Sequence, residues 1–218
     1  MPVGTQHPDM IHDGSQGTTR REILLGAGAG ATVALAGCTN STPGGADTVP
    51  VRGDPDADVT LEVYEDLGCP ACRSYVQDVF PDIQSRYLDD GRIRYEHHDF
   101  IVTGPAAEQA ASAAREVLDR EGDEGFWSFT GAVFDNQGRL PSQAPGLFSN
   151  LADTLGFDDP AAIATAGQNL EYDSAVESDM NRGRSLGVEG TPSFVVDGSL
   201  VGLRELTAEL DQALADQQ

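Results

Sequence analysis

Lysine is absent. All 13 basic residues among the 218 are arginine, and 36 acidic residues set against them leave a net charge of −23. A surface so negative repels phosphate backbones, which excludes nucleic-acid binding. The acids run along the whole chain and do not gather in a tail, so the surface is acidic throughout. Long apolar runs are missing too. The run from Ile23 to Ala36 has 14 residues, short of the roughly 20 that cross a bilayer. Cysteine is scarce, three in all, and histidine is limited to four. Core-forming residues are not scarce: 39% hydrophobic residues plus 25 glycines come near the usual ~45–50% apolar share. That excludes disorder for most of the chain, and the length fits one domain of ordinary size, with or without an insertion.

The first 37 residues read as an address. Arg20 and Arg21 stand directly before the short apolar run, as in a twin-arginine export signal. Leu35-Ala36-Gly37-Cys38 follows and looks like a lipobox, in which cleavage before Cys38 leaves its thiol to carry a lipid. Residues 38–50, rich in Gly, Pro, Ser and Thr, show no periodicity and are predicted to form a flexible tether. The mature protein is therefore expected outside the cytoplasm, anchored to the outer face of the cell membrane. A single short acyl chain holds only marginally, so a larger lipid is expected on Cys38.

With Cys38 assigned to lipid, Cys69-Pro70-Ala71-Cys72 holds the only other cysteines. A structural disulfide closing so small a loop would stabilise almost nothing. A zinc site needs four ligands, and the remaining histidines, His97 and His98, are neighbours on a predicted strand and point to opposite faces. A c-type haem would need histidine after the second cysteine, where Arg73 stands. What remains is a thiol–disulfide redox pair. The flanks agree. Val59, Leu61 and Val63 alternate as on a strand, Glu65 to Gly68 turn the chain, and Val76, Val79, Phe80, Ile83 and Tyr87 recur at helical spacing. Pro70 suits the first helical turn, where its missing N–H costs nothing. Cys69 then lies at a helix N-terminus, where free N–H groups favour a thiolate, with Cys72 one turn in. Cys69 is the attacking sulfur and Cys72 the resolving one.

From Leu61 to Cys72 the chain resembles the thioredoxin superfamily, specifically its DsbA-like thiol–disulfide oxidoreductases, and the likeness extends over about residues 50–218. Phe80-Pro81-Asp82-Ile83 looks like the kinked point of the family's active-site helix, and Gly91 to Tyr95 like the next strand. Gly187 to Gly198, containing Thr191-Pro192, is similar to its cis-proline loop leading into a hairpin. The resemblance implies that Thr191 offers its backbone to the substrate beside the cysteines. It also implies a helical insertion, matching Pro105–Arg120, the aromatic stretch Phe126–Phe134, Leu147–Leu155 and Pro160–Met180, with Trp127 in the core. Two departures stand out. Many thioredoxins carry a buried acid six residues before the first cysteine, where this chain has Val63; Asp66 is offered as its replacement in proton handling. Ala71 replaces the histidine of strongly oxidising relatives and donates nothing to a thiolate, so a lower potential is expected.

The expected architecture is an α/β thioredoxin-like fold (residues 51–218) with an inserted α-helical subdomain at about 105–171. The expected activity is thiol–disulfide exchange on exported protein thiols and disulfides, with a membrane redox partner for recycling and neither metal nor organic cofactor, because the redox equivalents sit in the cysteines. The alternatives are a reductase or isomerase whose pair stays reduced, or a lipid-anchored binding module that turns over little. The acidic, lysine-free composition resembles that of salt-loving archaea, where a Debye length of ~3 Å at 1 M salt makes self-repulsion tolerable; a haloarchaeal exported lipoprotein is the expected source.

Overall fold

Residues 59–67 are almost wholly buried, which a strand achieves only when both faces of its sheet are covered. The computed structural model describes residues 48–217. Within it five strands, β1 (Val51–Gly53), β2 (Thr60–Glu65), β3 (Arg94–Asp99), β4 (Ser193–Val196) and β5 (Ser199–Val201), form one sheet of order β1-β3-β2-β4-β5. β2 and β3 run parallel, with Val63 opposite His97 and Glu65 opposite Asp99; the other neighbours are antiparallel. The readings on Arg20, Arg21 and Cys38 lie outside the described residues. Thr48 and Pro50, placed by sequence at the end of the tether, are already held: their carbonyls accept hydrogen bonds from Arg115 Nη1 (2.8 Å) and His97 N (3.1 Å).

Side-chain alternation along β2 sorts two cores. Val59, Leu61 and Val63 join Ile83, Tyr87 and Leu210 on one face, whereas Tyr64 packs with Phe100, Val188 and Val195 on the other. Above the first face lies helix α1, residues 70–88, in which α-helical turns (Pro70–Ser74, Phe80–Ile83) alternate with wider π-helical turns (Tyr75–Val79, Gln84–Leu88). Pro81 has no N–H to give and its ring crowds the turn before it, so the helix widens there and Val79 is drawn to φ −113°. This is the kink expected at Phe80-Pro81. The widening also shifts the buried stripe, which explains why Tyr75, 2% exposed, falls outside the simple three-and-four spacing.

Between β3 and β4 the chain is helical: α2 (Pro105–Asp135), a 3₁₀ turn (Gln137–Arg139), α3 (Leu140–Leu155), α4 (Pro160–Asn169) and α5 (Asp173–Ser185). Phe126, Phe129, Val133, Leu147 and Phe148 form the core of this group, and Leu67, Cys69 and Cys72 belong to the same cluster. The two predicted helices within α2 meet at a break where Gly122 takes φ 70°, a value glycine adopts without strain. Two boundaries differ from the sequence reading. α3 starts at Leu140 and not at Leu147, because the prolines fall in or near its first turns; Pro145 is accommodated inside it. The predicted Pro160–Met180 helix is two, divided at Leu170, whose φ is 54°. On the second face α5 approaches closely at Gly183, where a Cβ would stand 2.9 Å from the Tyr64 and Phe100 rings. α6 (Leu206–Asp216) closes the chain against the first face through Leu206 and Leu210. Trp127 bridges the two large cores and donates from Nε1 to Val51 O at 3.1 Å, half-buried and not fully internal.

Candidate active site

The tight turn after β2 is fixed by one side chain. Asp66 is fully buried; its Oδ1 accepts from Gly68 N (2.7 Å) and Thr103 Oγ1 (2.9 Å), and its Oδ2 from Val102 N and Thr103 N (both 2.7 Å). Its carbonyl accepts from Cys69 N at 2.9 Å. This arrangement ties the loop after β3 to the cysteine turn and delivers Cys69 to the N-cap of α1, with Pro70 in the first turn. It also occupies the carboxylate that sequence reading offered for proton handling. From the insertion, Gln137 Nε2 donates to Leu67 O (2.9 Å) and Cys69 O (3.0 Å), a second clamp on the same turn.

The two sulfurs differ in their exposure. Cys69 is 7% exposed and Cys72 is fully buried, and Pro70 and Ala71 between them face solvent. Burial first, and then the nearby charge of Glu65, push the Cys72 thiol far above its usual range. The Thr191–Pro192 peptide is cis, and Cys69 Sγ lies 3.5 Å from Thr191 O. The structure thus brings Cys69, Cys72, Thr191 and Pro192 together, although they are separated by about 120 residues in sequence.

Sequence reasoning missed the buried acid nearest in effect to Cys72. Glu65 is 2% exposed and two residues past Val63, so it shares that residue's sheet face. Its Oε2 is 3.2 Å from His97 Nδ1, and His97 Nε2 is 3.2 Å from Asp99 Oδ1. Asp99 in turn accepts from Arg115 Nε at 2.9 Å, and Arg115 also reaches Asp179, which pairs with His98. Burial opposes a charged His97, but the hydrogen bonds to Asp99 and Glu65 outweigh it and raise its pKa to about 9. The available signal was the strand period itself: an acid one period beyond the family's position, on the strand predicted to lead into the cysteine turn.

Glu62, Glu96 and His98 bring potential ligand atoms within 4.8 Å of one another. Each already has an opposite charge: Arg182 on Glu62 (2.7 and 2.8 Å), Arg94 on Glu96, and Asp179 on His98 (3.0 Å). The three groups thus belong to a network of ion pairs. Among the described residues no helix is long and apolar enough to cross a membrane.

A central sheet capped by a Cys-Pro-Ala-Cys helix, a cis-proline loop against the first sulfur and a helical insertion define the DsbA-like thioredoxin fold. Comparison with known proteins agrees. The thioredoxin family model matches residues 46–216, and the chain belongs to that family. It is 28% identical over 154 residues to disulfide bond formation protein D of Bacillus subtilis (strain 168), covering 70% of this chain and 69% of that one. A putative protein-disulfide oxidoreductase of Rickettsia felis is 26% identical over 177 residues, covering 77% of this chain and 61% of the relative. Among solved structures, oxidised BdbD from Bacillus subtilis superposes with a TM-score of 0.68 at 26% identity, covering 77% of this chain and 93% of BdbD. DsbA of Chlamydia trachomatis, at 20% identity, shares the fold with a TM-score of 0.66 over 79% of this chain and 95% of its own. The protein is a thiol–disulfide oxidoreductase.

Proposed function

We propose that the protein exchanges disulfides with exported protein thiols through a Cys69–Cys72 redox pair, outside the cytoplasm and anchored by lipid on Cys38. The observation that carries the redox pair is the placement of Cys69 Sγ 3.5 Å from the carbonyl preceding the cis-proline, with a wholly buried Cys72 behind it. A substrate thiolate attacks the Cys69 sulfur of the oxidised pair; the Cys69–Cys72 bond breaks and Cys72 leaves with the electron pair. The second substrate thiol then attacks the mixed disulfide, Cys69 leaves, and the substrate carries the disulfide. In the reducing direction the same steps run backwards, so the geometry serves either, and Ala71 leaves the pair without a side-chain donor between the sulfurs. Thr191 lies beside Cys69, where its backbone would pair with an extended substrate segment. A membrane redox partner would restore the starting state of the pair, and the archaeal, salt-adapted origin read from the charge balance belongs to the same proposal.

The test is trapping. Cys72→Ser should accumulate mixed disulfides with secreted proteins, visible on a non-reducing gel, whereas Cys69→Ser should trap little. Equal trapping by both variants, or none by either, would end the redox-pair reading.

A further inference from the structure

We infer that the cavity between the cysteine turn and the helical insertion is a specificity subsite, which takes one large, uncharged apolar side chain of the protein segment that bonds to Cys69. The inference rests on the redox-pair reading above and adds to it the kind of substrate that the site selects.

The sheet order decides where this cavity lies. β2 leads to Cys69, with β4 on one side of it and β3 on the other. The Thr191–Pro192 loop enters β4, whereas the loop after β3 carries Thr103. On the β3 side Thr103 and Gly68, the residue before Cys69, line a cavity of about 360 Å³. The rest of the lining comes from the insertion: Pro105, Ala106 and Ala107 at the start of α2, Gln137, and Leu140 and Pro141 at the start of α3. Neighbouring strands stand ~4.8 Å apart, and an extended chain advances ~3.3 Å per residue. A segment joined to Cys69 through its cysteine, with its backbone beside Thr191, therefore brings a residue two or three positions away over the cavity.

The lining fixes the chemistry of the occupant. Charged residues make up 22% of the chain, yet none of them borders this cavity. Ala107 and Leu140 contribute buried apolar surface, at 1% and 2% exposed. Both polar side chains are already engaged within the protein. Gln137 Nε2 donates to Leu67 O and Cys69 O at 2.9 and 3.0 Å, and Thr103 Oγ1 donates to Asp66 at 2.9 Å. A charged occupant would lose its hydration and gain no counter-charge, whereas an apolar one loses nothing. The volume falls in the ~300–1,000 Å³ usual for ligand pockets and accommodates one large side chain. Val102, next to Thr103 in the chain, is 51% exposed, so apolar surface continues at the solvent edge of this loop.

The cavity is also preformed. Pro105 and Pro141 stand in the first turns of α2 and α3, where their rings fix the backbone. A Cβ at Gly68 would stand 2.2 Å from Thr103 Oγ1 and 3.2 Å from Ala107 Cβ. Glycine there lets the insertion approach the cysteine turn, and the same approach sets the cavity beside the attacking sulfur. The insertion thus covers the sulfurs and makes one flank of the site selective.

The experiment uses the full chain carrying Cys38→Ser and Cys72→Ser, which leaves Cys69 as its one thiol. It is mixed in 3 M KCl with short peptides whose single cysteine carries a thionitrobenzoate disulfide. The Cys69 thiolate attacks the peptide sulfur, the Cys69–peptide bond forms, and coloured thionitrobenzoate leaves with the electron pair. Cys69 is oxidised, thionitrobenzoate is reduced, and the peptide sulfur stays in a disulfide. The peptides place leucine, serine, aspartate or arginine two or three residues to either side of the cysteine. Leucine on one side should raise the second-order rate constant about ten- to fiftyfold over serine, as expected for burying most of such a side chain. Aspartate and arginine should not raise it, because the salt screens the pull of the acidic surface on arginine. Ala106→Asp places a carboxylate in the cavity wall at a helix N-terminus, where an acid suits the fold. It should erase the leucine advantage and give arginine one of about threefold or more. Leu203→Asp, just after β5 and on the far side of the cis-proline loop, should leave the leucine advantage standing. Equal rates for leucine and serine on both sides overturn the inference without any variant. A leucine advantage that survives Ala106→Asp, or that Leu203→Asp removes instead, overturns it too and assigns the side chain to the other flank. No release from any peptide would overturn the redox-pair reading, and the subsite with it.

Discussion

Arg115 is the buried cation on which two acids converge, and replacing it with methionine keeps most of its volume while removing its charge. The side chain is 3% exposed; it donates to Asp99 Oδ2 at 2.9 Å, to Asp179 and to Thr48 O at 2.8 Å. Its loss strands Asp99 and Asp179, 2% and 7% exposed, without their shared counter-charge. Breaking a buried ion pair by removing one partner costs about 3–5 kcal/mol. His97 and His98 still face the two carboxylates, which favours the lower end, and the lost bond to Thr48 adds about 1 kcal/mol. The expected destabilisation is therefore about 4 kcal/mol, and at ~2–4 °C per kcal/mol for a domain of this size the Tm should fall by about 8–16 °C. The assay is thermal unfolding followed by circular dichroism at pH 7, in 0.5 M and 3 M KCl. Salt screens exposed charges but reaches buried ones poorly, so the deficit should be nearly the same at both concentrations. It should widen as pH rises through about 9. His97 is raised above its ordinary value, so its charge stabilises the fold fully below ~6.5 and ceases to do so above about 9, leaving Asp99 with no cation in the variant. Adding Asp179→Asn should restore part of the loss, since the two residues share one network. A Tm fall below about 3 °C, or full recovery in 3 M KCl, would refute this account of the network.

Two further outcomes are expected. With net charge −23 and no lysine, the unsubstituted protein should melt at progressively higher temperature from 0.1 to 3 M KCl as self-repulsion is screened; a flat Tm would remove the argument for a salt-adapted origin. Cys38→Ser should shift the protein from the membrane to the soluble fraction on cell fractionation, and a variant that stays membrane-bound would refute the lipid anchor.

Much of this site was legible because its determinants are local. Cys69-Pro70-Ala71-Cys72 is read as a redox pair from its spacing, its flanks and the want of other ligands, and Pro70 and Pro81 each mark a place on α1 through the N–H they lack. Thr191-Pro192 was legible only by resemblance; nothing near it in sequence points to Cys69, and the 3.5 Å contact is a product of β4 pairing antiparallel to β2. The helix boundaries that shifted did so where tertiary packing overrode a local stop signal, as at Pro145 inside α3. Least legible were Glu65, His97, Asp99 and Arg115. Each reads by itself as an ordinary polar residue, and only the parallel register that sets Val63 against His97 and Glu65 against Asp99 brings them together.

The exchange of Val63 for an acid at Glu65 follows from that register. The sheet face above which α1 lies is shared by positions 61, 63 and 65, so an acid on that face has a choice of period and no choice of parity. At 63 it would stand opposite His97; at 65 it stands opposite Asp99, whose negative charge is unfavourable at so short a range. The cation that resolves the conflict comes from the strand itself, since His97 reaches diagonally to both carboxylates, and Arg115 from the insertion neutralises what remains. Moving the acid one period along β2 thus requires His97 and Arg115 together.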